Sequence, residues 1–321
     1  MRVGGKAVEA YSVLMAVYFR EKPEHLRLAI RSMLCQTVAP EEFVLVCDGP
    51  LTPPLDAVIG EFCRAYPALF RVVRLERNQG LGAALNAGLL YCRNELVARM
   101  DSDDLAVRDR MEMQLAELER YPDTSVLGGQ IAEFAESPET ITGCRCVPLE
   151  PAQIREYLKF RNPMNHTTAV LRRSHVLRVG GYREVAGFED YFLWTKLIKA
   201  GCLLRSIPQI CCMVRADAGM YSRRGGWQYF QNARKLERFL LESQIITCRQ
   251  YWRNTAIRFI GTMVLPAGLR RQVFLKFLRA QPGATAFAPN RIPSAAGPSA
   301  PFFDGDIFFS REPAGQIWGK R

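Results

Sequence analysis

The stretch VARMDSDDLAV, residues 97–107, decides how this chain is interpreted, because an apolar run ends in three closely spaced carboxylates. The run ELVARM (95–100) is typical of a buried strand, and Asp101, Asp103 and Asp104 follow it at once. One interpretation is that Asp103 or Asp104 caps a following helix, since carboxylates favour a helix N-terminus. The other is a divalent-cation site, because buried like charges repel and hard carboxylate oxygens suit Mg²⁺ or Mn²⁺. Capping leaves the third carboxylate unexplained, so the metal interpretation is favoured.

The sequence around this stretch alternates short β-rich runs with helical patterns. This order predicts an α/β fold with a mainly parallel, Rossmann-like sheet flanked by helices. The ligand crevice of such a sheet lies beyond the carboxyl ends of its strands, where the sequence has polar clusters at 18–20, 48–49 and 101–104. Strands are predicted at 12–19, 42–49, 70–76 and 95–100 and near 126–134 and 167–173, and helices at 23–36, 56–66, 82–92, 105–120 and 190–201.

A glycine-rich turn enters the predicted helix at 82–92. Gly80 and Gly82, with Asp101 about twenty residues further on, half-match the fingerprint of dinucleotide-binding proteins. Leu85 stands where that fingerprint has its third glycine, and two strand–helix units precede the turn. A tight turn with close helix–sheet packing is therefore favoured, and an NAD(P)-dependent oxidoreductase is kept as an alternative.

Two further segments carry polar side chains at predicted element boundaries. In GFEDYFLW (187–194), Glu189 and Asp190 begin a helix, where they serve either as N-terminal capping groups or as a general base for a hydroxyl nucleophile. The segment RNPMNHTT (161–168) is unusually polar for a stretch that leads into a strand, and it contains His166. An isolated histidine is more often structural than catalytic, so its direct involvement is the less favoured alternative.

The net charge of +11 is concentrated in residues 221–280. Twelve Arg or Lys residues are opposed there only by Glu237 and Glu242, and aromatic residues are interleaved with them. This pattern favours a basic helical region that binds an anionic membrane surface, although a solvated helical face gives the same pattern. No nucleic-acid-binding motif accompanies the charge, so no nucleic-acid partner is expected. Residues 281–321, rich in Pro, Ala, Gly and Ser, predict a loosely ordered tail.

The sequence pattern also bears on the cellular compartment. The segment MRVGGKAVEAYS has no apolar run typical of a signal peptide, and no run of about 18 uncharged apolar residues predicts a membrane-spanning helix. The ten cysteines lack zinc-ligand spacing, which is typical of reduced thiols. We expect a cytoplasmic protein.

The motifs, taken in order, resemble those of family 2 glycosyltransferases of the bacterial exopolysaccharide and O-antigen type, which includes amylovoran-biosynthesis enzymes. The resemblance covers residues 11 to 201 and implies the GT-A fold, a nucleotide-diphospho-sugar donor with UDP as its nucleotide, a divalent cation (Mn²⁺ or Mg²⁺) and inversion at the anomeric carbon. Its matching segments are YSVLMAVYFREKPEHL, CQTVAPEEFVLVCDGPL, ERNQGLGAALNAGL, ARMDSDD, RNPMNHTTAV and GGYREVAGFEDYFLWTKLIKAG.

The resemblance also implies roles for particular residues. Asp48 resembles the carboxylate that binds the uracil ring, and Asp101 the one that lies towards the ribose and the donor sugar. Asp103 resembles the metal ligand, with Asp101 as a second ligand, and Asp190 resembles the catalytic base, with Glu189 beside it. The remaining nucleotide-sugar-binding residues that we expect are Val17, Tyr18, Asn78, Gly82, Asn86 and Ser102, and those on the acceptor side are Asn165, His166 and Trp194.

Taken together, these expectations divide the chain into a GT-A domain (1–220), a basic helical membrane- or acceptor-associated region (221–280) and the tail (281–321). The expected acceptor is a hydroxyl of a growing surface glycan on a polyprenyl diphosphate lipid, which puts the protein on the inner face of the cell membrane. Two departures from the family pattern are Cys47, in place of an acidic residue, and Phe19, in place of Asn. A non-catalytic sugar-nucleotide-binding module with the same fold is a second alternative.

Overall fold

The computed structural model describes residues 9–216 and 225–265, together with the backbone of residues 2–3 and 6–7. Its helices are α1 (Pro23–Leu34), α2 (Pro53–Ala65), α3 (Leu81–Tyr91), α4 (Arg110–Arg120), α5 (Pro151–Leu158), α6 (Arg173–Arg178), α7 (Glu189–Lys199), α8 (Trp227–Glu242) and α9 (Cys248–Phe259). Its strands are β1 (Arg2–Val3), β2 (Lys6–Ala7), β3 (Tyr11–Val17), β4 (Glu42–Cys47), β5 (Phe70–Arg74), β6 (Leu96–Asp101), β7 (Leu105–Ala106), β8 (Thr124–Phe134), β9 (Ile141–Arg145), β10 (Val170–Arg172) and β11 (Leu203–Arg215).

Strands β3 to β11 form one sheet in the order β5-β4-β3-β6-β10-β8-β11-β7, with β9 paired to β8. The first four strands in this order are parallel, as the alternating pattern predicts. Strand β10 joins β6 and β8 through antiparallel ladders, and β11 returns parallel to β8. The mixed α/β class and the parallel half of the sheet are therefore as predicted, and β10 marks the point where the parallel run ends.

Two hydrophobic clusters cover the two faces of the sheet. One packs α3, α7 and α8 against one face, with Leu14, Val46 and Phe192 fully buried. The other packs α1, α2 and α4 against the opposite face. Side chains in a strand alternate between the faces, so β3 and β4 contribute to both clusters and read as continuous apolar runs. Each fully buried large apolar side chain contributes about 1.5–3 kcal/mol to folding.

Proline and glycine set several of the helix boundaries. Proline begins α1, α2 and α5, because its fixed φ suits the first helical turn and its missing N–H is not needed there. Gly201 follows α7 with φ of 79°, so the predicted glycine stop of that helix is confirmed.

Two sequence expectations at the acidic stretch are wrong. The helix predicted from residue 105 begins only at Arg110, because Leu105 and Ala106 form β7 and pair with β11. Asp103 and Asp104 therefore do not cap that helix, whose N-terminal flanking residue is Asp109. A short apolar run followed by a helix has the same periodicity as one longer helix, and only the pairing with β11 distinguishes the two.

The basic region predicted to be helical contains α8 and α9, which pack against each other. Thr247 and Gln250 form a reciprocal capping box at the start of α9. No helix in residues 9–216 or 225–265 is long and apolar enough to cross a membrane. The predicted boundaries at 220/221 and 280/281, and the tail from 281, lie outside the residues that the structure describes.

Candidate active site

A cleft of about 700 Å³ opens at the carboxyl ends of the parallel strands. It lies where the sequence places the ligand crevice, and a nucleotide sugar is of suitable size for such a cavity. The ends of β3, β4 and β6 supply one wall, the turn before α3 a second, and the ends of β8 and β11 a third. The lining residues are Ala16, Val17, Tyr18, Arg20, Glu21, Lys22, His25, Asp48, Asn78, Gly80, Leu81, Asp101, Ser102, Asp103, Ala135, Glu136 and Arg215.

Asp48 ties the end of β4 to the turn before α3. Its two carboxylate oxygens accept hydrogen bonds from the backbone N–H groups of Gln79 (2.7 Å) and Gly80 (3.0 Å). The side-chain amide of Asn78 donates to the Asp48 carbonyl oxygen at 3.2 Å. Gly49 is necessary for this approach, since its φ is 85° and a Cβ there would lie 2.6 Å from the Asn78 nitrogen. Asp48 is thus buried at the base of the cleft in a fixed orientation.

Asp101 ends β6 and is held by a buried guanidinium. Arg99, two residues earlier on the same face of the strand, donates both terminal nitrogens to the two oxygens of Asp101. Arg99 is 1% exposed, whereas the Asp101 side chain keeps 34% of its surface exposed towards the cleft. The pairing therefore fixes the carboxylate while its outer edge stays accessible to a ligand. Arg99 is not among the predicted site residues, because an arginine inside a buried strand carries no motif of its own.

Asp103 and Asp104 have different surroundings. Burial, together with the neighbouring charges of Asp101 and Glu21, raises the pKa of Asp103 to about 7. Asp104 is 2% exposed and its carboxylate accepts the backbone N–H of Arg215 at 3.1 Å, which links the acidic turn to the end of β11. Burial and the adjacent carboxylates also raise the pKa of Asp104. Asp103 faces the cleft, whereas Asp104 supports the turn from behind.

Glu21 is a further acidic group in the cleft that sequence reasoning missed. It follows β3 in the turn before α1, and its carboxylate accepts a hydrogen bond from the Ser102 hydroxyl at 2.7 Å. His25, one helical turn later, lies 3.5 Å from the same carboxylate. Ser102 is thereby directed towards Glu21, in addition to lining the cleft as expected. The sequence separation of 81 residues explains why no local pattern linked the two.

The acidic wall has the chemistry of a divalent-cation site. Asp101, Asp103 and Glu21 present hard oxygen donors, and the raised pKa of Asp103 reflects negative charge that no nearby cation fully offsets. Mg²⁺ sites commonly use one or two carboxylates and leave their other positions to phosphate oxygens and water. Among the described residues, no group of three His, Cys, Asp or Glu side chains is arranged to enclose a metal ion. The donor set therefore suits a cation shared with a diphosphate.

Asp190 lies half-buried in the first turn of α7, behind the cleft lining. Its carboxylate accepts hydrogen bonds from the Asn162 side-chain amide and from the Tyr191 backbone N–H. Arg145 of β9 holds the Asn162 segment through bonds to the Asn162 and Met164 carbonyl oxygens, at 2.7 and 3.2 Å. Burial raises the pKa of Asp190, and the Asn162 amide and the Arg145 and Arg99 guanidinium groups partly offset that effect. Such a carboxylate is suited to accept a proton.

Glu189, in the first turn of α7, lies against the first turn of α3. A Cβ on Gly82, in the first turn of α3, would lie 3.3 Å from Cγ of Glu189. The two helix N-termini therefore meet closely, and a Cβ at this position would require a neighbouring group to shift by a few tenths of an ångström. Burial raises the pKa of Glu189 to about 7, and the charge of Asp190 contributes to that shift. Gly82 does not line the cleft, but its lack of a side chain allows the close approach of Glu189 to α3.

Four other expected site residues are held by contacts within the fold. Asn86 exchanges hydrogen bonds with the backbone of Tyr182 (2.7 and 2.9 Å) and so fastens α3 to the loop before α7. Asn165, 1% exposed, donates to the Gly129 carbonyl oxygen and accepts from Arg145.

Trp194 has no exposed surface and lies within the core. Neither Asn165 nor Trp194 presents surface to an acceptor in this structure, which corrects that expectation to a packing role. His166 bonds the Tyr182 hydroxyl at 2.9 Å, and burial together with the Arg99 charge lowers its pKa well below the usual range. It is a neutral residue behind the site.

The sheet with its nucleotide-sized cleft and acidic wall defines the class of protein: a GT-A glycosyltransferase fold, as the sequence predicts. Solved glycosyltransferases share this architecture. The S. aureus TarS fragment 1–349 in complex with UDP matches with a TM-score of 0.57 at 17% identity, covering 83% of this chain and 74% of that one. The mannosyltransferase PcManGT of Pyrobaculum calidifontis, in complex with GDP-Man and Mn²⁺, matches with a TM-score of 0.54 at 17% identity, covering 83% and 81%.

The chain belongs to glycosyl transferase family 2, whose family model matches residues 12–179. It is 36% identical to the amylovoran biosynthesis glycosyltransferase AmsE of Erwinia amylovora over 72% of this chain and 85% of that protein. It is 34% identical to the UDP-Gal:alpha-D-GlcNAc-diphosphoundecaprenol beta-1,3-galactosyltransferase of Escherichia coli over 84% and 96%. The predicted enzyme class is therefore confirmed.

Family membership sets aside the oxidoreductase alternative, and the structure supplies a physical reason. A dinucleotide-binding turn offers the free N–H groups of a helix N-terminus to a pyrophosphate. Here the Asp48 carboxylate already accepts the N–H groups of Gln79 and Gly80. The glycine turn is therefore a packing device, as the favoured interpretation holds.

Proposed function

We propose that this protein is an inverting, divalent-cation-dependent glycosyltransferase. It would move a sugar from a UDP-sugar to a hydroxyl of a growing surface glycan carried on a polyprenyl diphosphate lipid. The observation that carries the proposal is the pairing of buried Arg99 with Asp101 at the end of β6, beside Asp103 and Glu21 in the cleft. The same guanidinium also contributes to lowering the pKa of Asp190, the candidate base, although burial raises that pKa overall.

On the donor side, the nucleotide would lie between the ends of β3 and β4. Val17, Tyr18 and Asn78 line that part of the cleft, and the fixed carboxylate of Asp48 has lone pairs left to accept an N–H of the uracil ring. A neighbouring structure in complex with UDP and a relative named for a UDP-galactose donor support UDP as the nucleotide.

Asp103 and Asp101 would hold the cation, with Glu21 adding negative charge beside them. When bound, the cation neutralises charge that develops on the diphosphate leaving group. The Mn²⁺ in the PcManGT complex supports a metal-dependent donor site in this fold. Ser102 and Glu21 would orient the same turn.

On the acceptor side, Asp190 would accept the proton of the attacking hydroxyl. Two hydrogen bonds, from Asn162 and Tyr191, fix its carboxylate, and burial keeps its pKa above that of an ordinary aspartate. The hydroxyl oxygen would attack the anomeric carbon from the face opposite the leaving UDP, so one displacement inverts the configuration. A relative named for a diphosphoundecaprenol-linked acceptor supports the lipid carrier, and with it a location at the cytoplasmic face of the membrane.

Thermal-shift titration separates the donor and base roles. UDP with Mn²⁺ should raise the melting temperature and UDP with EDTA should not, because a ligand that binds only the folded state stabilises it. Asp103→Asn should lose the Mn²⁺-dependent shift. Asp190→Asn should keep that shift and yet lose transfer from UDP-sugars by about 10²–10⁴-fold, as expected for removal of a general base.

Asp109→Asn is the matched control, since Asp109 is exposed at the start of α4 and outside the cleft. It should leave both UDP binding and transfer unchanged. A shift with NAD but none with UDP, or full transfer activity in Asp190→Asn, would contradict the proposal.

A further inference from the structure

Helix α9 and the π-helical turn that continues it, Ile260–Val264, present an apolar face to solvent. Trp252, Phe259, Ile260 and Met263 are between 40% and 65% exposed. Trp252 and Phe259 are seven residues apart, which puts them on one side of α9, and Ile260 and Met263 follow in the π-helical turn. We call these four residues the apolar face of α9. A helix of a globular protein ordinarily turns such a face inwards.

The inner side of α9 is attached by polar groups instead. Glu237 of α8 is fully buried and accepts bonds from Arg258 Nε (2.6 Å) and from the Asn254 amide (3.1 Å). Asn254 also donates to the Lys159 carbonyl oxygen at 2.8 Å, which fastens α9 to the end of α5. The inner side of α9 therefore carries a buried polar network together with Tyr251, which packs against the core. Trp252, Ile260 and Met263 face outwards, and Phe259 is partly exposed while its ring centre also lies 5.3 Å from that of Phe230.

The charge on α9 itself has a single sign. Residues 248–259 contain Arg249, Arg253 and Arg258 and no Asp or Glu, and Arg258 is the one that pairs inwards with Glu237. Arg249 and Arg253, both exposed, flank the apolar face on α9 itself. An exposed apolar helix face with tryptophan and phenylalanine, bordered by arginine, is the composition of helices that lie in the interface of anionic membranes.

We propose that the apolar face of α9 is the docking surface for an anionic phospholipid bilayer. The helix would lie in the headgroup layer, with the four apolar side chains below it and the flanking arginines among the phosphates. Its biological purpose rests on the proposed function, because the bilayer would carry the acceptor, but the binding itself does not depend on catalysis.

The docking surface lies close to the segment that holds the candidate base. The Arg253 guanidinium lies 4.7 Å from the centre of the Phe160 ring, and Phe160 is 44% exposed. Two residues further on, Asn162 bonds Asp190. On the inner side, Arg258 lies 6.0 Å from the ring centre of Tyr191, next to Asp190. A bilayer held by α9 would therefore lie beside the segment that positions the base.

Flotation of the full-length protein with vesicles tests this surface in the absence of nucleotide and acceptor. The protein should float with vesicles of phosphatidylcholine mixed with phosphatidylglycerol, and much less with phosphatidylcholine alone. The double variant Trp252→Ser, Phe259→Ser should bind at least about tenfold more weakly, because two aromatic side chains no longer enter the interface. Arg249→Gln should bind about fivefold more weakly, as expected for one arginine at an anionic surface.

Leu90→Ser is the matched control, since Leu90 is 66% exposed on α3 and outside the proposed surface. It should bind vesicles as the unaltered protein does. The α9 variants should keep the Mn²⁺-dependent stabilisation by UDP, which shows that they are folded and separates this test from that of the proposed function. Undiminished flotation of the α9 variants would overturn the proposal. So would a dimer that these substitutions dissociate, since the face would then belong to a second copy.

Discussion

At the scale of single residues, the site depends on how each carboxylate is compensated. Asp48 is fixed by backbone N–H groups, Asp101 by a guanidinium and Asp190 by an amide, whereas Asp103 has no such partner strong enough to offset its burial. These partners fix the orientations of Asp48, Asp101 and Asp190, whereas the weakly compensated charge of Asp103 favours a cation beside it.

Asn162 is predicted to be a positioning residue for Asp190. Asn162→Ala removes a hydrogen bond to the ionised carboxylate, so the pKa of Asp190 should rise further and kcat should fall about tenfold or more. The acid limb of the pH–kcat/KM profile should move to higher pH. The charged and titratable groups around Asp190 that the change leaves in place are Glu189, Arg145, Arg99, Tyr182 and Tyr191.

Asn94→Ala controls for general loss of stability, because Asn94 bonds the Ser12 hydroxyl at the opposite edge of the sheet. It should not move the acid limb. Asn162→Gln, which keeps an amide donor, should recover part of the activity. An Asn162→Ala enzyme with an unshifted pH profile would rule out the positioning role.

Glu189 should make stability depend on pH. Its pKa of about 7 in the folded protein lies above the ordinary 4.5, so the folded state binds more protons than the unfolded state between these values. Stability therefore falls as pH rises from about 4.5 through about 7. Glu189→Gln removes this loss. The difference in the free energy of unfolding, variant minus unaltered protein, should therefore be larger at pH 8 than at pH 5, by roughly 3 kcal/mol at most.

Urea denaturation at the two pH values measures that difference. Glu184→Gln is the control, since Glu184 lies exposed in the same loop region. An equal effect of Glu189→Gln at pH 5 and pH 8 would show that the carboxyl is ionised as readily in the folded as in the unfolded protein.

At the scale of elements, the first turns of α3 and α7 meet at Gly82 and Glu189. Gly82→Ala should displace Glu189, because the added Cβ lies 3.3 Å from its Cγ and 3.4 Å from the Arg183 carbonyl oxygen. We expect transfer activity to fall severalfold with little change in melting temperature. Gly60→Ala in α2 makes the same substitution against a movable Arg64 side chain and should instead stabilise by about 0.5–1 kcal/mol.

Assays of transfer and thermal unfolding on both alanine variants separate the two effects. If Gly82→Ala retained full activity, the contact between the two helix starts would not matter for the site. The periodic patterns predicted these two helices to within one residue at their starts, but no pattern in either helix indicates that they touch.

At the scale of the whole molecule, the fold gathers negative charge at one edge and positive charge on the α8–α9 side. The acidic wall comes from β6 and the turn before α1, whereas the basic helices come from a region more than 120 residues later in the chain. Opposite charges kept on different surfaces allow a cation and diphosphate to bind at one and an anionic surface at the other. The polar network around Glu237 holds α8 and α9 together.

Local chemistry in the sequence determined the parallel half of the fold and the position of its cleft. Buried parallel strands read as apolar runs and amphipathic helices as a period of 3.6, and the polar clusters at Asp48 and Asp101 follow strand ends that must share one edge. The motifs around Asp103 and Asp190 indicated the family, because each motif is a short run of neighbouring residues. These features are encoded within a few neighbouring residues.

Only the tertiary structure decided which distant groups meet. Three pairs of site residues are far apart in the sequence: Asn162 and Asp190 by 28 residues, Ser102 and Glu21 by 81, and Gly82 and Glu189 by 107. The pairing of β7 with β11 also joins residues more than 100 positions apart. Such contacts form because crossover connections bring distant segments together and several elements jointly bury the same side chains. No local sequence pattern encodes them. The sequence indicated that α9 is basic and aromatic, because composition is a local property. Which side of α9 faces outwards is decided only by how the helix packs in the folded molecule.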